Sequence, residues 1–98
     1  MIKLKVKLSY GLKWLNPNNN GCLKMKPELT VGSLMFRVRM LLTGISAADA
    51  LFLFFNSQTL YAMTATLAEV HEKESVDGVL NVVVVKESAF GGRPYPSK

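Results

Sequence analysis

From Ile2 to Ser9 the chain alternates strictly. Ile2, Leu4, Val6 and Leu8 are apolar, while Lys3, Lys5, Lys7 and Ser9 are polar. A period of two predicts a half-buried strand with its lysines on one face. Gly11 to Gly21 contains Asn16-Pro17-Asn18-Asn19-Asn20-Gly21, a dense cluster of turn formers. Leu23 and Met25 then alternate with Lys24 and Lys26 before Pro27 stops the pattern. The two alternating stretches are expected to pair as a hairpin with a long loop.

The period then changes. Thr30 is placed to cap a helix through its hydroxyl. Val31, Leu34, Met35, Val38, Leu41 and Leu42 recur at helical spacing and form one apolar stripe. Thr43-Gly44 is expected to end that helix. Leu51 to Phe55, apolar throughout and short, predicts a third strand, followed by a connecting loop over 59–62. Met63, Leu67 and Val70 suggest a short second helix with Glu69, Glu72 and Lys73 toward water. After the Asp77-Gly78 turn comes Val79-Leu80-Asn81-Val82-Val83-Val84-Val85. Its four consecutive valines predict a central strand buried on both faces.

The resulting order, β-β-α-β-α-β, specifies an α+β domain. It has a mixed four-stranded sheet, a crossover helix, and first and last strands as parallel central neighbours. This is the β-grasp, or ubiquitin-like, fold. It is expected over residues 1–90, with a flexible C-terminal tail over 91–98. The Gly91-Gly92 pair follows soon after the central strand, and Pro94 and Pro96 keep the last residues from joining a sheet.

Composition narrows the function. The 98 residues make one domain, 49% hydrophobic, with apolar runs far shorter than a membrane span. The alternating N-terminus lacks the continuous apolar segment of a secretion signal. One cysteine rules out an internal disulfide and favours a reducing, cytoplasmic setting. The net charge is +5, with lysines crowded into the first 26 residues, so one region of the surface is expected to be basic.

Little catalytic chemistry is visible. Cys22 and His71 are the only candidates for a nucleophile and its base, and no second Cys or His completes a metal site. No Gly-rich loop opens a helix to cradle a phosphate. No enzymatic activity and no cofactor are expected. Phe36 and Met40, four apart on the side of the helix away from its core stripe, predict an exposed apolar pair for a partner. The lysine face, with Tyr10 and Trp14 near it, suits at most weak, non-specific nucleic-acid binding.

Several pieces of the chain resemble known proteins. Leu29-Thr30-Val31-Gly32 followed by Phe36 and Arg39 resembles the helix start of the GABARAP-like autophagy modifiers. Leu51-Phe52-Leu53-Phe54-Phe55-Asn56 resembles their third strand with its closing Asn. His71-Glu72-Lys73, Asp77-Gly78 and Ala89-Phe90-Gly91 continue the match in order, over about residues 23 to 91. That family carries two helices before its first strand, whereas here the strand starts at Ile2. The autophagy-related protein twelve family has a bare β-grasp core that begins in this way, and Lys86-Glu87-Ser88-Ala89-Phe90-Gly91 keeps most of its ending. Members of that branch usually stop at the glycine; this chain continues.

The resemblance implies a modifier activated at a C-terminal glycine. Gly91 is the expected acyl donor and Gly92 its rival, with Phe90 read by the tail-processing cysteine protease and by the activating enzyme. E1-like and E2-like enzymes would conjugate it to another autophagy protein. The GABARAP-like alternative is conjugation to an aminophospholipid, phosphatidylethanolamine, on autophagosomal membranes. A third reading is a β-grasp interaction domain that is never conjugated. The GABARAP-like family also accepts a short linear motif by strand addition. By that resemblance Lys24, Met25, Lys26, Phe36, Arg39 and Met40 are partner-binding candidates, although Lys24 stands near an aromatic position of the family and Arg37 where it is apolar.

Overall fold

The computed structural model describes residues 1–87. Phe90, Gly91, Gly92 and the expected domain edge at residue 90 lie outside the described residues. In chain order the elements are β1 (Ile2–Leu8), β2 (Lys13–Trp14), β3 (Cys22–Met25), α1 (Val31–Met40), β4 (Leu42–Thr43), β5 (Leu51–Phe55), α2 (Leu67–Glu74) and β6 (Val79–Lys86). Four of them form a mixed sheet in the order β3-β1-β6-β5. β1 and β3 pair antiparallel, as the hairpin pattern predicts, with Leu4 opposite Leu23. β1 and β6 are parallel neighbours from Lys3–Val79 to Leu8–Val84. β5 closes the other side of β6, antiparallel. The β-grasp expected from the order of the elements is the fold observed.

Both helices cover one face. Val31, Leu34 and Val38 of α1 and Leu67 and Val70 of α2 are buried against Leu4, Val6, Leu53, Phe55, Leu80, Val82 and Val84. The helices start side by side. Thr30 accepts a hydrogen bond from the Ser33 amide, and Thr66 forms a reciprocal cap with Glu69. Val31 N donates to Ala65 O, Gly32 N to Met63 O, Leu67 N to Leu29 O and Ala68 N to Pro27 O. First-turn amides that no helix can satisfy internally therefore find partners on the neighbouring segment. Gly32 permits this approach, because a Cβ there would stand 3.2 Å from the Met63 carbonyl oxygen.

Three expectations are corrected. The valine run is not buried on both faces: Val82 and Val84 are buried, but Val83 and Val85 are half-buried. β6 is central because strands pair with both its edges, while helices cover only one face. The first helix stops at Met40 and not at Thr43. Leu42–Thr43 leaves it to pair with Lys13–Trp14 in a separate two-stranded sheet, and Leu15 N donates to Leu41 O beside it. Leu41 and Leu42 satisfy helical spacing and a short strand equally well, and the ladder partner decides. Met63 lies before α2 and is exposed; the helix begins only after the Thr66 cap.

The turn cluster before β3 is tight. Asn16, Asn19 and Asn20 each accept, through the side-chain oxygen, the amide two residues on. Gly21 then passes against β1 at φ +82°, and a Cβ there would lie 2.2 Å from the Val6 carbonyl oxygen. Gly21→Ala is expected to destabilise the domain by about 2–3 kcal/mol, from positive-φ strain and the displaced strand. Urea unfolding of the variant beside the parent measures it; an unchanged midpoint would remove this account of the β1–β3 connection.

Candidate functional site

The end of β6 is fastened to the 44–50 loop before the described chain stops. Glu87 N donates to Ala50 O at 2.9 Å, and Lys86 Nζ donates to Gly44 O at 3.1 Å. The 44–50 loop that receives these bonds is itself fastened to α1. Arg39 Nη1 donates to Asp49 O, and Nη2 donates to Ser46 O and more distantly to Ala47 O. Asp49 Oδ2 in turn accepts the Ser46 amide. Arg39 is thus a staple between helix and loop: its guanidinium is engaged by backbone carbonyls. The central strand delivers the chain to residue 87 from a braced position.

The edge of the sheet is β3, whose second long side faces no other strand of the sheet. Lys24 is exposed on it, and Lys26 is exposed just beyond its end. Met25 is only 3% exposed and packs in the core, so it is corrected from a partner-binding candidate to a core residue. The alternation that put Lys24 on the outer face necessarily turned Met25 inward. Phe36 and Met40, 66% and 64% exposed, stand on the solvent side of α1, where their spacing predicts them. Leu15, equally exposed, lies near Met40 through its backbone bond to Leu41, an extension of this patch that only the β2–β4 pairing shows.

Cys22 and His71 do not meet. Cys22 alternates with buried Leu23 and faces outward on β3. His71 belongs to α2 on the covered face, with Nε2 3.5 Å from Gly78 O. Among the described residues no cluster of His, Cys, Asp and Glu could hold a metal ion.

A polar network missed by sequence reasoning closes the other end of α2. Asn56, at φ +53°, donates from Nδ2 to the Glu74 carbonyl and to Glu74 Oε1 at 2.7 and 3.0 Å. The Tyr61 hydroxyl donates to Glu74 Oε2 at 2.8 Å, while its ring meets Phe55 edge-on. The bond to Glu74 holds the Tyr61 proton and raises its pKa above the ordinary phenol value, with burial and the carboxylate charge adding to the shift. Asn56 is the residue that closes the third strand in the resemblance, and here it ties β5 to α2.

Comparison with known proteins agrees with this architecture. The chain is 31% identical over 65 residues to autophagy-related protein 8 of Dictyostelium discoideum, covering 65% of this chain and 52% of that protein. It thus spans about half the length of this curated relative. The crystal structure of Trypanosoma brucei ATG8 superposes with a TM-score of 0.72 at 21% identity, over 88% of this chain and 72% of that one. That match shows the ubiquitin-like fold. No protein-family model matches the chain. The resemblance to autophagy ubiquitin-like modifiers is borne out, and the GABARAP-like branch is compatible with it.

Two outcomes are expected from this geometry. Met25→Ala should cost about 2–5 kcal/mol of stability. Phe36→Ala and Met40→Ala should stay within about 0.5 kcal/mol of the parent while weakening capture of a partner. Chemical denaturation separates the two classes. In the second outcome, the Tyr61 bond contributes fully below the unfolded tyrosine pKa and is lost as pH rises through the raised folded value. The stability gap between the parent and Tyr61→Phe should therefore narrow in alkaline solution; a gap independent of pH would contradict the bond.

Proposed function

We propose that this chain is a ubiquitin-like modifier of autophagy, activated at Gly91 and conjugated through it to an amine. The supporting observation is the similarity to autophagy-related protein 8 over most of a β-grasp domain. The braced exit of β6 is consistent with it, because a rigid strand end sets where the following residues are offered to an enzyme. In this pathway a cysteine protease hydrolyses the bond after Gly91. An E1-like enzyme adenylates the new carboxylate with ATP, releasing pyrophosphate. The acyl group passes to enzyme thiols as a thioester, AMP leaves, and an amine displaces the thiolate to form an amide. Every catalytic group belongs to the enzymes; this chain supplies the acyl donor and the docking surface. Glycine suits the donor because it imposes no side chain on a narrow channel.

The similarity to autophagy-related protein 8 favours the aminophospholipid as acceptor and association with autophagosomal membranes. A target autophagy protein is the second reading, carried by the terminal residues Lys86, Ala89, Phe90 and Gly91. Among the described residues no helix is long and apolar enough to cross a membrane.

The parent protein expressed in cells should lose 93–98 or 92–98, as intact mass reads it, and form a slower-migrating conjugate. Gly91→Ala should abolish processing or conjugation without lowering thermal stability. Phospholipase treatment collapses a lipid conjugate and leaves a protein conjugate intact. If Gly91→Ala and Gly92→Ala, singly and together, leave mass and conjugate unchanged, the β-grasp interaction domain that is never conjugated is the correct reading.

A further inference from the structure

The face of the sheet turned away from the helices carries a charge pattern that conjugation does not use. Lys3, Lys5 and Lys7 of β1 and Lys24 of β3 are all exposed on it. None of the four strands of this sheet contains a carboxylate. Acidic residues gather instead on α2, where Glu69 and Glu72 are exposed on the opposite side of the domain. The strands of the open sheet are therefore basic and free of carboxylates, while the helix side is mixed, with Lys73 beside the glutamates of α2 and Arg37 exposed on α1.

At the centre of that face one residue breaks the rules of its strand. Asn81 interrupts the apolar run of β6, a position where asparagine is disfavoured and valine would fit the pleat. It lies opposite Lys5 in the parallel register, two residues from the Lys7–Val83 pair. Its backbone carbonyl accepts the Asn56 amide, but no described residue hydrogen-bonds its half-buried side-chain amide. Lys5, Lys7, Asn56, Ser57, Asn81, Val82 and Val83 line a cleft of about 290 Å³ there. Alternate lysines on a strand stand roughly 6.6 Å apart, which lets two ammonium groups approach one oxyanion from either side of an amide donor. Val83 and Val85 continue the face as half-buried apolar surface.

We propose that this face binds an anionic phospholipid surface, with a headgroup phosphate seated between Lys5, Lys7 and Asn81. Two features select a membrane over a soluble anion. Lys3 and its cross-strand neighbour Lys24 do not line the cleft but extend the same basic face beyond it, so they meet neighbouring headgroups. The valines beside the cleft meet the less polar level beneath the headgroups. The charge pattern orients it, since the sheet strands carry lysines and no carboxylate whereas glutamates on α2 oppose docking through the helix side. The proposal concerns the unconjugated chain and holds whichever acceptor takes Gly91.

Flotation of the purified 98-residue chain with vesicles tests it. Phosphatidylcholine vesicles should bind nothing. Vesicles with added phosphatidic acid should bind strongly at low salt and weakly at high salt. Lys5→Gln or Lys7→Gln should weaken binding about fivefold each, whereas Lys73→Gln on α2, with the same charge change, should not. Asn81→Val leaves the charge unchanged and suits the strand. It should weaken binding to phosphatidic acid about tenfold while circular dichroism and melting stay as in the parent. Equal losses from Lys73→Gln and Lys5→Gln would mean a net-charge effect and overturn the site. Displacement by glycerol phosphate at low millimolar concentration would overturn the membrane in favour of a free phosphate. Absence of vesicle binding, with single-stranded DNA shifting the amide resonances of Lys5, Lys7 and Asn81, would give the face to nucleic acid instead.

Discussion

The pairing of β1 with β6 is the constraint on which the rest of the structure depends. The two strands lie at opposite ends of the described chain and run parallel. A parallel pair has no hairpin to join it, so the intervening chain must cross over the sheet. Both helices consequently lie on one face, where Leu4, Val6, Leu80, Val82 and Val84 point, and the opposite face includes Lys3, Lys5, Lys7, Lys24, Asn81, Val83 and Val85, with Phe52 and Phe54 of β5. The same pairing places β6 between β1 and β5, so the chain reaches residue 87 from the middle of the sheet. One register thus produces the core, the basic face and the point of exit.

The second organising contact is the junction of the two helix starts. Four backbone bonds join 27–32 to 63–68, with Thr30 and Thr66 facing each other as caps. The most specific local piece of the family resemblance, Leu29-Thr30-Val31-Gly32, lies in this junction. Thr30 caps, Val31 is buried, and Gly32 lets the Met63 carbonyl approach. The motif is therefore accounted for by packing and hydrogen bonding. Similarly, the Asn that closes the third strand is accounted for by its bonds to Glu74. These matching residues carry the fold; the proposed function rests on the surfaces and on Gly91.

Those surfaces divide by chemistry. The α1 side presents Phe36, Met40 and Leu15, an apolar patch with Arg37 exposed among them. The open sheet presents lysines around a polar cleft. The two lie on opposite sides of a sheet one strand thick, so occupation of one does not obstruct the other. On the proposed reading, binding a membrane with one face and a protein with the other would need no internal rearrangement.

The sequence by itself determined the four strands of the main sheet, the two helices and their order, because each buries one face and the period of its apolar residues records which. It determined the Thr30 cap, the exposure of Phe36 and Met40, and the outward direction of the lysines for the same reason. It also determined the terminal Phe90-Gly91-Gly92 on which the proposed activation rests. Only the tertiary structure decided that Met25 belongs to the core and that Arg39 is spent on loop carbonyls, since a side chain's partners lie far along the chain. It alone turned Leu42 from a helix position into a strand paired with Trp14, and showed that the helices cover only one face of the valine run. The Tyr61–Glu74–Asn56 network and the Lys5–Lys7–Asn81 cleft likewise appear only after folding. Periodicity reports how a segment is buried relative to its own axis; it carries no information on which distant segment arrives to bury it.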